Sequence, residues 1–258
     1  MNENFRSKSR LRTINAMGGD IIPAKAFSRK QAVFNEKAVQ YAKHGVITTP
    51  GFLRLESTAP SAAVSVFNFN TLDTSGTKTA TERRLKLADT FTITDISFYI
   101  GYGTATSDAP TAAQYAVQKL TTWPNPQITE IGATQAANLE AVYNGYLSLR
   151  VDTTTFLDSI PMRQFYRVGT SQQGVLGGTG GTAVQKDEWP LSMYGKNELL
   201  PTIELNGQSN IEFSINLPNA TDCSGASTYF TNMVLILTGF LNQGAAGVQQ
   251  RVQRQLRS

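Results

Sequence analysis

The chain has 258 residues, a hydrophobic fraction of 40% that is ordinary for a globular core, and a single cysteine, Cys223. A chain of this length can form one large all-β domain, and one cysteine excludes both an intrachain disulfide and a metal site built from several cysteines. The longest apolar run, Met233–Leu241, is interrupted by Thr238 and Gly239 and is too short to cross a bilayer. No apolar block follows the basic N-terminus, so no secretory signal is predicted. We therefore expect a soluble protein that is made and used without export.

Positive charge is concentrated at the two ends of the chain. Residues 1–44 hold nine basic and three acidic residues, a net charge of +6, and residues 241–258 hold three arginines and no acid. Residues 45–240 hold 11 basic and 16 acidic residues, a net charge of −5. Basic extensions commonly contact nucleic acid or an acidic partner surface, and a solvated tail is the alternative. The candidate contact residues are Arg6, Lys8, Arg10, Arg12, Arg251, Arg254 and Arg257.

The first 44 residues are predicted to form an extended arm followed by a helix. Ser, Asn and Arg residues alternate in the arm, which covers residues 1–27. Ser28 is a suitable N-cap for a helix that runs to about Lys43, where Gly45 can end it. The predicted domains are a basic arm and helix (1–44), a β-sandwich domain (45–241) and a basic C-terminal tail (242–258).

From Gly45 onward the pattern is typical of strands and turns. The dipeptide Pro50-Gly51 predicts a turn between two short strands. Farther along, the alternation of apolar and polar residues changes parity at Asp95, which predicts a β-bulge or bend. The predicted strands in this part are Val46–Thr49, Phe52–Glu56, Ala63–Asn70, Leu85–Leu87 and Phe91–Tyr102.

The second half of the chain adds two helices and a closing β region. The clearest signal is a hairpin in which Thr202–Leu205 and Asn210–Leu217 flank the turn Asn206-Gly207. About eight to ten strands, without βαβ alternation or an internal repeat, predict a mainly β protein with an antiparallel β-sandwich. The other predicted elements are helices at Thr111–Leu120 and Thr134–Tyr143, strands at Tyr146–Thr155, Gln164–Val168 and Asn232–Leu241, and a glycine-rich loop at Gly174–Gly181.

The sequence offers little that could support catalysis. His44 is the only histidine, so zinc sites with two histidine ligands are excluded, and no context for a Ser-His-acid or Cys-His site accompanies it. The glycine run 177–181 lacks the Lys-Ser/Thr ending of a phosphate-binding loop. We expect no catalytic residue, no metal and no cofactor. Paired carboxylates that could serve a glycoside hydrolase remain, although solvated strand faces and loops explain them as well: Asp187 and Glu188 beside Trp189, Asp152 and Asp158, and Glu204 and Glu212.

The order of these features resembles a jelly-roll viral capsid protein. A basic N-terminal arm, a short helix and a β-sandwich with helices in its connections come first, and the Pro201–Leu217 hairpin with a final strand closes the domain. The resemblance is one of organisation and covers most of residues 45–241. Within this family the chain is more similar to structural proteins of bacterial viruses than to those of animal viruses. Its polar connections, rich in Thr, Gly and Ala with few charges, are similar to the inter-subunit loops of shell proteins. Ten strands at most indicate a single jelly roll.

The resemblance implies a non-enzymatic subunit that assembles into a symmetric shell around the genome. Its expected partners are copies of itself and other virion proteins, with non-specific contact to nucleic acid or lipid through the basic termini and no small-molecule substrate. Its expected location is the virion, assembled in the host cytoplasm. Two alternatives stay open: a virion accessory protein such as a spike, fibre or tail component, and a carbohydrate-binding β-sandwich.

Overall fold

A computed structural model describes residues 29–74, 76–104, 110–124, 133–167, 196–224 and 229–248. The chain divides into two compact units, residues 1–48 and residues 49–258. In the first unit, helix α1 (Arg29–Ala42) confirms the predicted helix, whose N-cap Ser28 lies outside the described residues. The helix ends where the backbone N–H of Gly45 donates to the carbonyl of Ala42, and the φ angle of 72° at Gly45 is one that glycine adopts without strain.

Strands make up most of the described residues of the second unit. None of the helices that the structure describes is long and apolar enough to span a membrane. The elements are β1 (Thr48–Thr58), β2 (Val64–Asn70), β3 (Thr90–Thr104), α2 (Ala112–Ala116), β4 (Lys119–Thr121), α3 (Ala133–Val142), β5 (Tyr146–Val151), β6 (Thr154–Pro161), a 3-10 helix (Met162–Phe165), β7 (Lys196–Asn206), β8 (Ile211–Thr221) and β9 (Tyr229–Asn242).

The strands form two antiparallel sheets that pack face to face, which confirms the predicted mainly β sandwich. In the first sheet the order is β1-β9-β3, and both β7 and β4 pair with the other edge of β3. In the second sheet the order is β2-β8-β5-β6. The pairs β1–β9, β2–β8, β3–β7 and β5–β6 are therefore nested inside one another along the chain. This nesting is the strand order of a single eight-stranded jelly roll, to which β4 is a short addition.

The core lies between the inner faces of the two sheets. Alternation places Phe98 of β3 opposite Leu235 of β9 on the inner face of the first sheet. Phe213 of β8 is paired with both Phe69 of β2 and Leu149 of β5 on the inner face of the second. All five side chains are buried in one continuous hydrophobic cluster, so the apolar faces of the two sheets hold each other in place.

The predicted irregularity in β3 is present. The register of β3 against both β7 and β9 shifts between Ile93 and Asp95, as expected for a β-bulge. The extra residue allows Ile93 and Ile96 to point into the core although they are three positions apart. The bulge buries the Asp95 carboxylate, which accepts a hydrogen bond from the Thr94 hydroxyl at 2.7 Å.

The predicted hairpin around Asn206-Gly207 is wrong, although the turn itself exists. The N–H of Ser209 closes the turn by donating to the Asn206 carbonyl at 3.0 Å, while the N–H of Gly207 donates to the carbonyl of Asp89 at 3.0 Å. Strand β7 nevertheless pairs with β3 in the first sheet, whereas β8 pairs with β2 and β5 in the second. The inward-facing residues Leu205 and Ile211 therefore enter the core from opposite sheets. A tight turn fixes a chain reversal, but pairing with distant strands decides which sheet each arm joins.

Three other sequence predictions differ from the structure. Pro50-Gly51 is not a turn but lies inside β1, an edge strand of its sheet, where a proline without an N–H is tolerated. Of the predicted strand Gln164–Val168, residues 164 and 165 lie in the 3-10 helix, residues 166 and 167 lie in no regular element, and residue 168 is outside the described residues. The predicted strand Tyr146–Thr155 is divided into β5 and β6 by a turn at Asp152, whose φ angle is 53°.

Two shorter elements also differ from their predictions. The helix predicted at Thr111–Leu120 stops after Ala116, and the chain then pairs with β3 as β4. Residues 85–87 form no strand, and Leu85 makes only an isolated bridge with Leu72. Helix α3, strand β2 and strand β9 agree with the predictions.

The close approach of β9 to the bulge in β3 leads to a first prediction. A Cβ atom at Gly239 would overlap the carbonyl oxygen of Thr92 and lie 2.9 Å from its carbon. Because this obstacle is backbone, Gly239→Ala is expected to lower the free energy of unfolding by about 1–3 kcal/mol. The measurement is urea unfolding followed by circular dichroism. Gly247→Ala is the control, because a Cβ at Gly247 has no atom within 4 Å. Equal stabilities of the two variants would contradict the tight β3–β9 contact.

Candidate functional site

The predicted contact residues of the two basic ends lie outside the described residues. The same holds for the loop carboxylates Asp187 and Glu188, for Trp189 beside them, and for the glycine-rich residues 174–181. The basic residues concerned are Arg6, Lys8, Arg10, Arg12, Arg251, Arg254 and Arg257.

The carboxylate pairs that the structure describes are not brought together as catalytic pairs. Glu204 lies on β7 in the first sheet and Glu212 on β8 in the second. Asp152 occupies the turn between β5 and β6, where its Oδ1 accepts the backbone N–H of Asn210 at 2.8 Å. Asp158 is exposed on the edge strand β6. Among the described residues, no group of three or more His, Cys, Asp or Glu side chains is placed to hold a metal ion.

Cys223 has the properties of a core residue. Its thiol is buried, with 1% of the residue exposed, and its Sγ lies 3.9 Å from the carbonyl oxygen of Asn138 as a weak donor. Burial, reinforced by the neighbouring Asp222 carboxylate, raises the pKa of the thiol to about 12. A thiolate is the reactive form of cysteine, so this side chain is a poor nucleophile at neutral pH.

A cavity of about 290 Å³, which we call the cationic cavity, is lined by several charged side chains. It lies where the connection between β2 and β3 (residues 71–89) passes beside β1 and the end of β9. Four cations and two carboxylates line it together with apolar side chains. The lining residues are Gly51, Phe52, Leu53, Asp73, Lys78, Arg83, Arg84, Leu85, Lys86, Asp89, Phe91, Leu241 and Gln243.

Backbone hydrogen bonds fix the wall of this cavity. The N–H and carbonyl groups of Arg83 pair with those of Arg54 on β1, each at 2.9 Å. Two residues later, the N–H of Leu85 donates to the carbonyl of Thr71 at 2.8 Å. The backbone of residues 83–85 is therefore held in an extended form, with Arg83 exposed at one end and Leu85 packed in the core.

A buried ion pair also stabilises the connection between β2 and β3. The Arg84 Nη2 and Glu82 Oε2 atoms are 2.7 Å apart, and both side chains are at least 98% buried. The Glu82 carboxylate also accepts the backbone N–H of Thr79 at 2.8 Å and that of Glu56 at 3.1 Å. The same Arg84 nitrogen donates to the carbonyl of Thr77 at 2.8 Å. These bonds satisfy the buried charges and tie the connection to β1.

Glu56 of β1 extends this network across the first sheet. Its carboxylate accepts from Arg54 Nε and Thr81 Oγ1 at 2.6 Å each. It also accepts from Thr79 Oγ1 at 2.9 Å and from Asn232 Nδ2 of β9 at 2.8 Å. One buried carboxylate thus joins an edge strand, a central strand and the connection that carries the cavity cations.

The cavity cations differ in how far their charges are already compensated. Lys78 Nζ lies 2.7 Å from Asp73 Oδ1, and this bond, with the nearby Arg84 and Lys86 charges, holds the pKa of the Asp73 carboxyl below its usual range although burial opposes it. Arg84 is paired with Glu82. Within the part of the chain that the structure describes, Arg83 and Lys86 have no ion-pair or side-chain hydrogen-bond partner, and the Arg83 guanidinium lies 5.1 Å from the Phe52 ring centroid.

Sequence reasoning missed this cavity although a signal was present. Four of the 11 basic residues between 45 and 240 fall within residues 78–86. The net charge of −5 over residues 45–240 conceals this local cluster of basic residues. A window of about ten residues would have identified it, although only the fold shows which of the four cations are neutralised.

Two further surfaces carry exposed apolar groups. A cavity of about 540 Å³ lies on the outer face of the first sheet, with the 43% exposed Phe52 on its wall. On the outer face of the second sheet, Val66 and Tyr146 are both paired with Asn216 and are 40% and 43% exposed.

No protein-family model, curated protein or solved structure matches this chain. Its function is therefore inferred from its own strand order, surfaces and charges.

The buried ion pair leads to a second prediction. Glu82→Ala would leave the Arg84 charge buried without its carboxylate, so the free energy of unfolding is expected to fall by about 3–5 kcal/mol. Urea denaturation followed by circular dichroism measures the change. The control is Glu212→Ala, because the Glu212 carboxylate is 54% exposed and 4.0 Å from Arg150, and a loss below about 1 kcal/mol is expected there.

A double variant separates charge from packing at this site. Replacing both partners, Glu82→Leu with Arg84→Met, removes the uncompensated charge and is expected to recover much of the loss. The network would not be structural in the way described if Glu82→Ala were as stable as the Glu212 control.

Proposed function

We propose that this protein is the structural subunit of a virus capsid, which assembles with copies of itself into a symmetric shell around the genome. The observation that carries the proposal is the nested pairing of eight strands into a single jelly roll. Folds of this strand order recur in viral capsid domains, and also in lectins and cupins. The proposed location is the virion of a bacterial virus, after assembly in the host cytoplasm.

Charge layout supports a shell over the other uses of a jelly roll. The first 44 residues carry a net charge of +6, while residues 45–240 carry −5. A polyanionic genome attracts basic segments through its phosphates without regard to sequence. The same basic segments can pair with the acidic body of a neighbouring subunit. Either contact gives the charge separation within one chain a role in assembly.

The second sheet offers a surface suited to repeated contacts. Val66 and Tyr146 point outward from the same row, two strands apart, with Asn216 between them. Phe156 on the adjacent edge strand β6 is 50% exposed. Closed symmetric assemblies repeat one contact many times, so a modest apolar patch on each copy stabilises the whole shell. We assign these three exposed apolar side chains, on β2, β5 and β6, to the subunit interface and call them the second-sheet patch.

A third prediction tests self-assembly through this patch. The purified protein is expected to form oligomers at micromolar concentration. The double variant Val66→Ser with Tyr146→Ser is expected to raise the concentration needed for assembly at least about tenfold, because it removes apolar surface from the interface. Sedimentation velocity over a range of protein and salt concentrations measures both.

The control for this experiment is Val117→Ser at the end of α2. Val117 is 72% exposed but lies outside the second-sheet patch. Unchanged assembly is expected for this variant. A parent protein that stays monomeric at every concentration and salt would contradict the shell subunit, and equal effects of the two variants would contradict the choice of surface.

The side chains on the outer face of the second sheet favour one second candidate, a carbohydrate-binding β-sandwich. Beside the exposed Tyr146 ring, the Ser148 and Ser214 hydroxyls are 2.7 Å apart, and Asn216 Nδ2 donates to both. Aromatic rings stack on apolar sugar faces, while amides and hydroxyls bond sugar hydroxyls. A monomer that binds an oligosaccharide saturably and loses binding on Tyr146→Ser would support this candidate instead.

A further inference from the structure

We infer that the cationic cavity binds a phosphate group, with Arg83 and Lys86 as its direct ligands. This assignment is independent of the proposed capsid role and of the basic chain ends. It rests on four cations that the fold gathers in one concave place, two of which have no ion-pair partner among the described residues.

The balance of charge in the cavity identifies the two ligands. Lys78 is paired with Asp73, and Arg84 is paired with the buried Glu82. Arg83 and Lys86 then face one further carboxylate, Asp89, whose Oδ1 already accepts the backbone N–H of Gly244 at 2.8 Å. Counted against Asp89, the two cations leave one net positive charge in the cavity, and both are exposed and without an ion-pair partner among the described residues, so they can attract an anion.

The position of Arg83 prepares it to bind an anion. Its backbone is held by two hydrogen bonds to Arg54, and its guanidinium lies over the Phe52 ring. Such stacking limits the rotamers of the side chain while leaving the edge of the guanidinium free to donate. A planar guanidinium donates two parallel hydrogen bonds to phosphate oxygens, and the ammonium of Lys86 adds a point charge. The Gln243 side chain also lines the cavity as a neutral donor.

The size of the cavity limits what can carry the phosphate. A volume of about 290 Å³ is at the small end of ligand pockets. It suits a free phosphate, a phosphate on one small group, or one phosphodiester of a single strand, and not a duplex. The exposed Phe52 ring can contact the group that carries the phosphate, while Leu85 and Phe91 close the cavity from the side of the core.

Titration calorimetry of the whole chain with inorganic phosphate, at constant ionic strength and neutral pH, tests the inference. Saturable binding is expected for the parent protein. Arg83→Gln and Lys86→Gln should each weaken binding at least about tenfold, because each removes a charged hydrogen bond. The matched control is Arg163→Gln: Arg163 is 57% exposed and its guanidinium lies 4.3 Å from the Tyr166 ring centroid, but it lies outside the cavity. Its variant should bind phosphate as the parent does.

A mononucleotide and a short single-stranded oligonucleotide distinguish the sources of the phosphate. If the Arg83 and Lys86 variants lose affinity for the oligonucleotide as well as for phosphate, the ligand is a nucleic-acid backbone. If they lose affinity only for phosphate and the mononucleotide, it is a small phosphate ester. The inference is overturned if the parent shows no saturable phosphate binding, or if the two cavity variants bind all three ligands as the Arg163 control does.

Discussion

The pairing of β3 with β9 is the constraint on which the rest of the structure depends. The two strands run antiparallel from Thr90 opposite Asn242 to Thr104 opposite Tyr229, and both are buried along almost their whole length. Strand β9 in turn pairs with β1, while β7 and β4 share the other edge of β3. Because all other strands of the first sheet attach to this pair, its position and its bulge set the register of the whole sheet.

Burial of β3 on both faces explains its unusual composition. Inner positions are large and apolar, such as Phe98 and Ile100, while the outer positions combine the small Ser97 and Gly101 with the aromatic Tyr99. The Gln118 side chain packs directly over Gly101, where a Cβ would meet its amide oxygen. The buried Glu56 network then closes this outer face with hydrogen bonds, and it also fixes the connection that carries the cationic cavity. The order of the core and the position of the proposed phosphate site therefore depend on one central sheet.

Local sequence patterns predicted those features of the strands that depend on local backbone geometry. The change of parity at Asp95 predicted the bulge, and the alternation before Asn70 predicted β2, because side-chain period follows directly from strand geometry. Choice of partner strand could not be read in the same way. The signal at Asn206-Gly207 is that of a hairpin, yet β7 and β8 enter different sheets because their strand partners lie more than fifty residues away. The cationic cavity was missed for a related reason: only the fold shows that Arg84 is paired with Glu82 and that Arg83 has no ion-pair partner among the described residues.

Assembly into a closed shell is the central claim of the functional account. A single jelly roll with a basic N-terminal segment, an acidic body and an exposed apolar patch has the features that repeated, symmetric contacts require. Electron microscopy of the purified protein at micromolar concentration tests the claim most directly. Closed, roughly spherical particles are expected, in which one subunit shape recurs with rotational symmetry. Isolated single subunits, or open fibres that never close, would contradict it.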